Sequence, residues 1–360
     1  MRIESAALNE TRDVFVHLPK GYEEAEKRCP VLYVLDAEDV FTYAVGAVDF
    51  LSTARMPETI VVGIPNTNRE RDIWVNLEDP NSGYVRFIQF LKKELIPAVD
   101  ARYRTQPHRT LYGFCSGAGT VFWILFHKPE MFMGYIASGT GFDPTWAALA
   151  AQAFTRQPEL KKSLFAVTEG TTPRAQGMPL LRNVLEKSAP PKLSWKCEVM
   201  ESEEHGPVAA KGLFAGLEFI FTDWKPPLEV AAGGPEEIRA YYERLSRDYG
   251  FATGIPEQAV LSTAMSLLWQ KGGKAASDTL QFIAQEYPDS PDALAVLGMA
   301  LEDEKRFNPA EKAYAGAIAN ARKASDRRLP MFEEYLANLR KRMKEEPGAP
   351  SFPAAITNLE

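Results

Sequence analysis

The stretch Gly113-Phe114-Cys115-Ser116-Gly117 constrains this chain more than any other. It follows a short apolar run, Arg109-Thr110-Leu111-Tyr112, and opens onto a segment of helical composition from Ala118 to His127. A strand, then Gly-x-nucleophile-x-Gly, then a helix forms a sharp elbow. It strains the backbone of the middle residue and lifts its side chain to the top of a sheet. The flanking glycines are needed because the turn is tight. Here the middle residue is a cysteine. Centring the motif on Ser116 would put Phe114 and Ala118 at the glycine positions, and neither suits that turn. The chain therefore presents either a thiol nucleophile or a scaffold that has lost its chemistry.

An elbow needs a sheet beneath it, and residues 1–225 supply strand and helix signals in alternation. Val14 to Leu18 is a first strand. Val31-Leu32-Tyr33-Val34-Leu35 and Thr59-Ile60-Val61-Val62-Gly63 are continuous apolar runs, which suit strands of a parallel sheet buried on both faces. Tyr112, Tyr135-Ile136-Ala137 and Leu164-Phe165-Ala166-Val167 mark three more, and Leu193 to Val199 alternates as an edge strand does. Val85, Ile88, Leu91, Leu95, Ile96 and Val99 stand at helical spacing. The expectation is an α/β domain: a mostly parallel sheet with helices on both faces.

The composition changes after Trp224. Lys225-Pro226-Pro227 and Ala231-Ala232-Gly233-Gly234-Pro235 read as a linker over 226–235. Beyond it only helical signals remain, over 236–346, with a loose tail at 347–360. Leu294, Leu297, Gly298, Leu301, Ala310, Tyr314 and Ala317 fall at tetratricopeptide spacings. One repeat earlier stand Ala264, Leu267, Ala276, Leu280, Ile283 and Pro288. This predicts a helix-pair domain that packs on the first or offers a surface for a protein partner or self-association.

The formal net charge of -7, with no Lys/Arg block, argues against nucleic acid or an anionic membrane as partner. No long apolar run follows Met1 and none is long enough to span a bilayer, so the expected location is cytoplasmic. Three cysteines, Cys29, Cys115 and Cys197, give no disulfide framework. Cys29 and Cys197 sit in or beside apolar runs and read as buried, inert thiols. No Cys/His cluster has metal-ligand spacing, and no cofactor is expected.

Of the four histidines, His17, His108, His127 and His205, only His205 comes late enough in the domain to serve an elbow. The chain order there is nucleophile, acid, histidine. It lies in Glu201-Ser202-Glu203-Glu204-His205-Gly206, a polar loop between a strand and a helix. His17, His108 and His127 read as surface or strand-end residues. The acid that orients the imidazole is Glu169, at the end of Leu164 to Thr168, or Asp143. Two backbone N–H groups should receive a developing oxyanion. One belongs to Ser116, the other to Ala37 or Glu38 in the loop opened by Asp36.

These residues together resemble the esterase family that includes enterochelin esterase and esterase D. The likeness is carried by Pro30-Val31-Leu32-Tyr33-Val34-Leu35-Asp36, Ile60 to Thr67, Arg71-Asp72, Glu94-Leu95-Ile96-Pro97, Tyr103-Arg104-Thr105, Leu111-Tyr112-Gly113-Phe114 and Glu203-Glu204-His205-Gly206. It covers nearly all of residues 1–224. It implies an α/β-hydrolase fold, no cofactor, and acyl-ester cleavage with His205 as base. The chain departs from the family at Cys115, where the family has serine, at Gly117-Ala118-Gly119, and at Ala37. It departs again at Ile73-Trp74-Val75-Asn76 and in the short excursion from Leu77 to Gly83.

The expectation is thus an acyl hydrolase with Cys115, His205 and Glu169 as triad and Ser116 and Ala37 as oxyanion donors. Its substrate would be a small or carrier-bound acyl compound. Acyl transfer or cyclisation from the same thioester, or a degenerate binding protein, are the alternatives.

Overall fold

The computed structural model describes residues 1–23, 26–75 and 83–345. The excursion from Leu77, Gly83 apart, and the tail 347–360 lie outside the described residues. The chain divides into two compact units, Met1–Thr222 and Asp223 onward.

The first unit opens with a hairpin that no sequence signal announced, β1 (Arg2–Ser5) with β2 (Glu10–Asp13). Seven strands follow: β3 (Phe15–His17), β4 (Cys29–Leu35), β5 (Ile60–Ile64), β6 (Thr105–Phe114), β7 (Gly134–Ser138), β8 (Ser163–Glu169) and β9 (Ser194–Met200). They form one sheet in the order β3-β5-β4-β6-β7-β8-β9. Only β3 runs antiparallel to its neighbour. Every residue of β4, β5 and β7 is buried, as their unbroken apolar sequences require of strands covered on both faces.

The covering helices are α1 (Ala37–Leu51), α2 (Arg69–Ile73), α3 (Gly83–Phe90), α4 (Ile96–Arg102), α5 (Ser116–His127), α6 (Pro144–Arg156), α7 (Met178–Ser188) and α8 (His205–Ile220). Alternation along a strand sends neighbouring side chains to opposite faces. Tyr135 and Ala137 of β7 join the core built with α3, α5, α6 and α7. Ile136 and Ser138 instead meet Gly216 and Gly212 of α8, where a β-carbon would clash. A π-helical turn, Leu91–Leu95, joins α3 to α4. Pro97 follows it and has no N–H to continue the regular ladder.

β5 lies on one side of β4 and β6 on the other. The connections after β4 and β6 therefore leave in opposite directions and open a crevice at the carboxyl ends of these strands. The elbow and the Asp36 loop both end in that crevice.

The second unit is helical: α9 (Leu228–Ala232), α10 (Pro235–Tyr249), α11 (Glu257–Lys271), α12 (Gly273–Glu286), α13 (Pro291–Asp303), α14 (Phe307–Lys323) and α15 (Leu329–Glu345). α11 and α13 start 34 residues apart, and so do α12 and α14. Gly298 lets α13 approach α14 closely, since a β-carbon there would stand 2.6 Å from the Tyr314 ring. The expected linker is corrected here. Residues 226–235 contain α9, whose Ala231 is buried. The Thr263 and Thr279 hydroxyls donate to the carbonyls of Pro226 (3.0 Å) and Ala231 (2.5 Å). The prolines and glycines bound short helices rather than a loose tether. Among the described residues no helix is long and apolar enough to cross a membrane.

Candidate active site

The elbow is built as its glycines demand. Cys115 has φ +56° and ψ -116°, a strained conformation for a residue with a side chain. A β-carbon on Gly113 would stand 2.2 Å from the Gly117 carbonyl oxygen. The Cys115 N–H is fixed by the Ser138 carbonyl at 2.9 Å. The thiol is partly exposed, whereas Cys29 and Cys197 are buried. Burial pushes those two thiols up, to about 11 and about 12.

His205 is the first residue of α8 rather than a loop residue. Its Nδ1 lies 3.0 Å from Glu169 Oε1. Its ring stacks on Phe114, with centroids 4.6 Å apart and planes 29° from parallel. Glu169 ends β8 and its side chain is wholly buried. Burial alone would raise its carboxyl. Hydrogen bonds from the Thr172 hydroxyl, its own backbone and His205 outweigh that and hold it at about 2. Asp143, the alternative acid, is exposed and occupied elsewhere. Its Oδ1 caps α6 by accepting from the N–H groups of Thr145 (2.8 Å) and Trp146 (3.1 Å).

Ser116 and Ala37 each begin a helix, α5 and α1. The first N–H groups of a helix have no intrahelical acceptor. The two loops are adjacent: a β-carbon on Gly117 would lie 3.3 Å from Asp36 Oδ2. Asp36 is buried in the left-handed region (φ +52°). It accepts from Arg69 Nε (2.7 Å) and Nη2 (3.0 Å) and from Asn66 Nδ2 (2.6 Å). That pairing pushes Arg69 above its ordinary value.

The loop carrying Asn66 and Arg69 is braced from the hairpin. Arg12 of β2 is 1% exposed and donates to Asp72 (2.5 Å) and to the Pro65 carbonyl (2.8 Å). Arg71 adds a second cation on Asp72 at 2.6 Å.

A cleft of about 260 Å³ opens over the elbow. Cys115, Ser116 and Thr140 form its polar side, and Trp74, Val75 and Trp146 its apolar wall. Gly119 also lines the cleft, and a β-carbon there would make ordinary contacts with Trp146 at 3.7 Å and Val75 at 3.8 Å. Among the described residues no group of three or more His, Cys, Asp or Glu side chains is placed to hold a metal ion.

Three features escaped the sequence reading. His108 is not a surface residue: it is buried inside β6, and burial pushes its imidazole down to about 4. Arg69 Nη1 points at Ser116 Oγ, 3.5 Å away. Arg174 donates to Glu169 Oε1 at 3.2 Å and lies 3.9 Å from Cys115 Sγ. Neither arginine sits in a local motif, and both are long-range neighbours of the elbow. His17 pairs with Asp49 (2.8 Å) and His127 bonds the Trp123 carbonyl (2.9 Å), both away from the cleft.

A strand–elbow–helix at the switch point of a mostly parallel sheet with helices on both faces defines an α/β-hydrolase-like fold. More narrowly, the "Putative esterase" family model matches residues 5–186, and the chain belongs to that family of hydrolases. It is similar to the crystal structure of an IroE-like serine hydrolase from Shewanella oneidensis. That match has 26% identity and a TM-score of 0.65 and covers 80% of this chain and 98% of that one. An uncharacterised protein from Capnocytophaga ochracea matches at 15% identity and a TM-score of 0.64, over 95% of this chain and 99% of its own. The siderophore hydrolase EstB from Aspergillus nidulans matches at 20% identity and a TM-score of 0.53, over 63% and 95%. These last two are likenesses of fold alone. No curated protein matches the chain.

Proposed function

We propose that this chain is an acyl hydrolase of esterase or thioesterase type whose nucleophile is Cys115. The Cys115 sulfur attacks the carbonyl carbon while His205 takes the thiol proton. The oxyanion is received by the N–H groups of Ser116 and Ala37. The C–O or C–S bond to the leaving group breaks, and His205 returns the proton to it, leaving a thioester on Cys115. His205 then deprotonates water, which attacks the thioester; the acid is released and the thiol restored. Glu169 holds the imidazole and stabilises its charged form. The observation that carries this reading is the 3.0 Å contact between His205 Nδ1 and Glu169, with the imidazole stacked on Phe114, the residue before a strained Cys115. A reducing, cytoplasmic setting goes with it, since the nucleophile must stay a free thiol.

Intact mass after exposure to an aryl ester or thioester tests the reading. An acyl adduct should appear on Cys115, vanish in Cys115→Ala, and persist or form slowly in His205→Ala. Cys115→Ser restores the residue usual in the family; a rise in ester hydrolysis would mean one substitution redirected an esterase. Silence of wild type and Cys115→Ser across varied esters would sink the catalytic reading in favour of a binding protein. An adduct that leaves for an added amine or thiol faster than for water would make the activity acyl transfer.

We read the second unit as tetratricopeptide-like, supported by the 34-residue offset of its helix pairs and by Gly298 beneath the Tyr314 ring. Its use as a surface for a protein partner or for self-association is tested by sedimentation of the full chain.

A further inference from the structure

Two guanidinium groups flank the thiol. Arg69 opens α2, beyond the end of β5. Arg174 lies in the short turn Pro173–Gly177 that follows β8. β5 and β8 lie on opposite sides of β6 in the sheet, so the two arginines reach the elbow from its two sides. Each is anchored from behind by a carboxylate. Arg69 gives Nε and Nη2 to Asp36, and Arg174 gives Nη1 to Glu169. The anchoring carboxylates are sunk, with side chains 5% and 0% exposed, while the arginines are 43% and 39% exposed. An incoming molecule therefore meets guanidinium edges and not the acids behind them. Glu38, the other acid on this side, is turned to Asn66, accepting from its side chain at 2.7 Å and its backbone at 3.1 Å.

The edges turned toward the elbow are poorly used. Arg69 Nη1 is 3.5 Å from Ser116 Oγ, and Arg174 Nη2 is 3.9 Å from Cys115 Sγ. Both are long for hydrogen bonds, and neither acceptor is a carboxylate. A guanidinium has five donors in a planar fork that suits a carboxylate, and holding it by one edge pre-organises the other. An aliphatic acyl chain alone would leave both edges without a charged partner. Trp74, Val75 and Trp146 on the cleft's apolar wall suit the hydrocarbon part of a donor.

We infer that the acyl donor carries a carboxylate near its scissile carbonyl, held by Arg69 and Arg174 on either side of Cys115; this rests on the reading of Cys115 as the nucleophile. The substrate class is then the half-ester or half-thioester of a short dicarboxylic acid, with both residues selecting it against neutral acyl groups of the same length.

The test has two arms on the full chain. The first needs no turnover: Cys115 is alkylated with iodoacetate or iodoacetamide, and the rate ratio is compared with that of glutathione in the same mixture. A carboxylate site makes the iodoacetate-to-iodoacetamide ratio at Cys115 about tenfold higher than for glutathione at low salt. The ratio should fall in Arg69→Gln and in Arg174→Gln, and survive in part in Arg174→Lys. Taking a ratio cancels any general change in thiol reactivity, and circular dichroism checks that each variant folds. A ratio no higher than that of glutathione, or one unmoved by both substitutions, overturns the inference. The second arm compares acylation by succinyl- and butanoyl-N-acetylcysteamine thioesters, with the succinyl donor expected to be faster. Equal acylation by both leaves the hydrolase reading standing and removes the carboxylate site. A raised alkylation ratio with neither donor reacting does the reverse.

Discussion

Phe114, the residue before Cys115, is also the platform on which His205 rests, ring against ring at 4.6 Å. The elbow thus sets the position of the His205 imidazole. Gly139 closes the arrangement: it has φ +61°, and a β-carbon there would stand 2.6 Å from the Phe114 ring and 2.9 Å from His205 Cε1. Phe114→Ala should slow acylation of Cys115 by about tenfold, because a loosely held imidazole loses its alignment. Gly139→Ala should cost more, through both the clash and the backbone strain. Stopped-flow acylation with an activated thioester reads both, and wild-type rates in Gly139→Ala would refute this coupling.

Glu169→Gln keeps the size of the side chain and removes its charge. The imidazolium formed during acylation then loses its partner, and the rate should fall by about 10–100-fold. The carboxyl is held at about 2, so acid does not mimic the substitution until the pH is very low. Its folded value lies below the unfolded one. Its contribution to stability is therefore full above the ordinary carboxylate range and is lost as pH falls through about 2. Rates for Glu169→Gln that match the wild type between pH 5 and 8, in the absence of a folding defect, would remove Glu169 from the machinery.

His108 predicts a separate acid transition. Its folded value, about 4, lies below the ordinary 6.5. The unfolded chain binds the proton first, so stability is full above about 6.5 and is lost as pH falls toward about 4. The loss amounts to about 3 kcal/mol. His108→Phe should flatten the fall in melting temperature between those two pH values, since a phenyl ring still packs on Phe221, now 5.2 Å from the imidazole centroid. An unchanged acid limb in the variant would show that another group titrates there.

Residues 226–235 should resist proteolysis. Their carbonyls accept from Thr263 and Thr279, and Ala231 is buried. Subtilisin at low ratio should cut there no faster than within the neighbouring helices. Thr279→Val, which removes the bond to Ala231, should speed cleavage. Rapid release of a fragment ending near residue 225 from the wild type would restore the picture of a loose tether.

What could be read from the sequence was local. The elbow's glycines, the apolar strands and the 34-residue helix spacing each arise from neighbours in the chain. Chain order pairs His205 with Glu169, and the two side chains lie 3.0 Å apart. Arg69 and Arg174 were not found, because their partners at the elbow lie far away in sequence and nothing near either arginine marks it. His108 was misplaced because polar neighbours hide a strand that begins at Thr105. The Pro/Gly-rich stretch misled for a different reason. Pro235 starts α10 and Gly233 ends α9, and residues that end helices resemble residues that make linkers.

The ion pair between Arg12 and Asp72 gives the first hairpin a reach beyond its own two strands. Asp72 is wholly buried, and taking Arg12 away would strip one of the two cations that offset it, a change of a kind that costs about 3–5 kcal/mol. The strain would be felt at α2, whose first residue is Arg69. An N-terminal trim, a tag spliced in at residue 14, or a crossover point chosen there in a chimera would thus disturb the segment that carries Arg69, far along the chain from the edit.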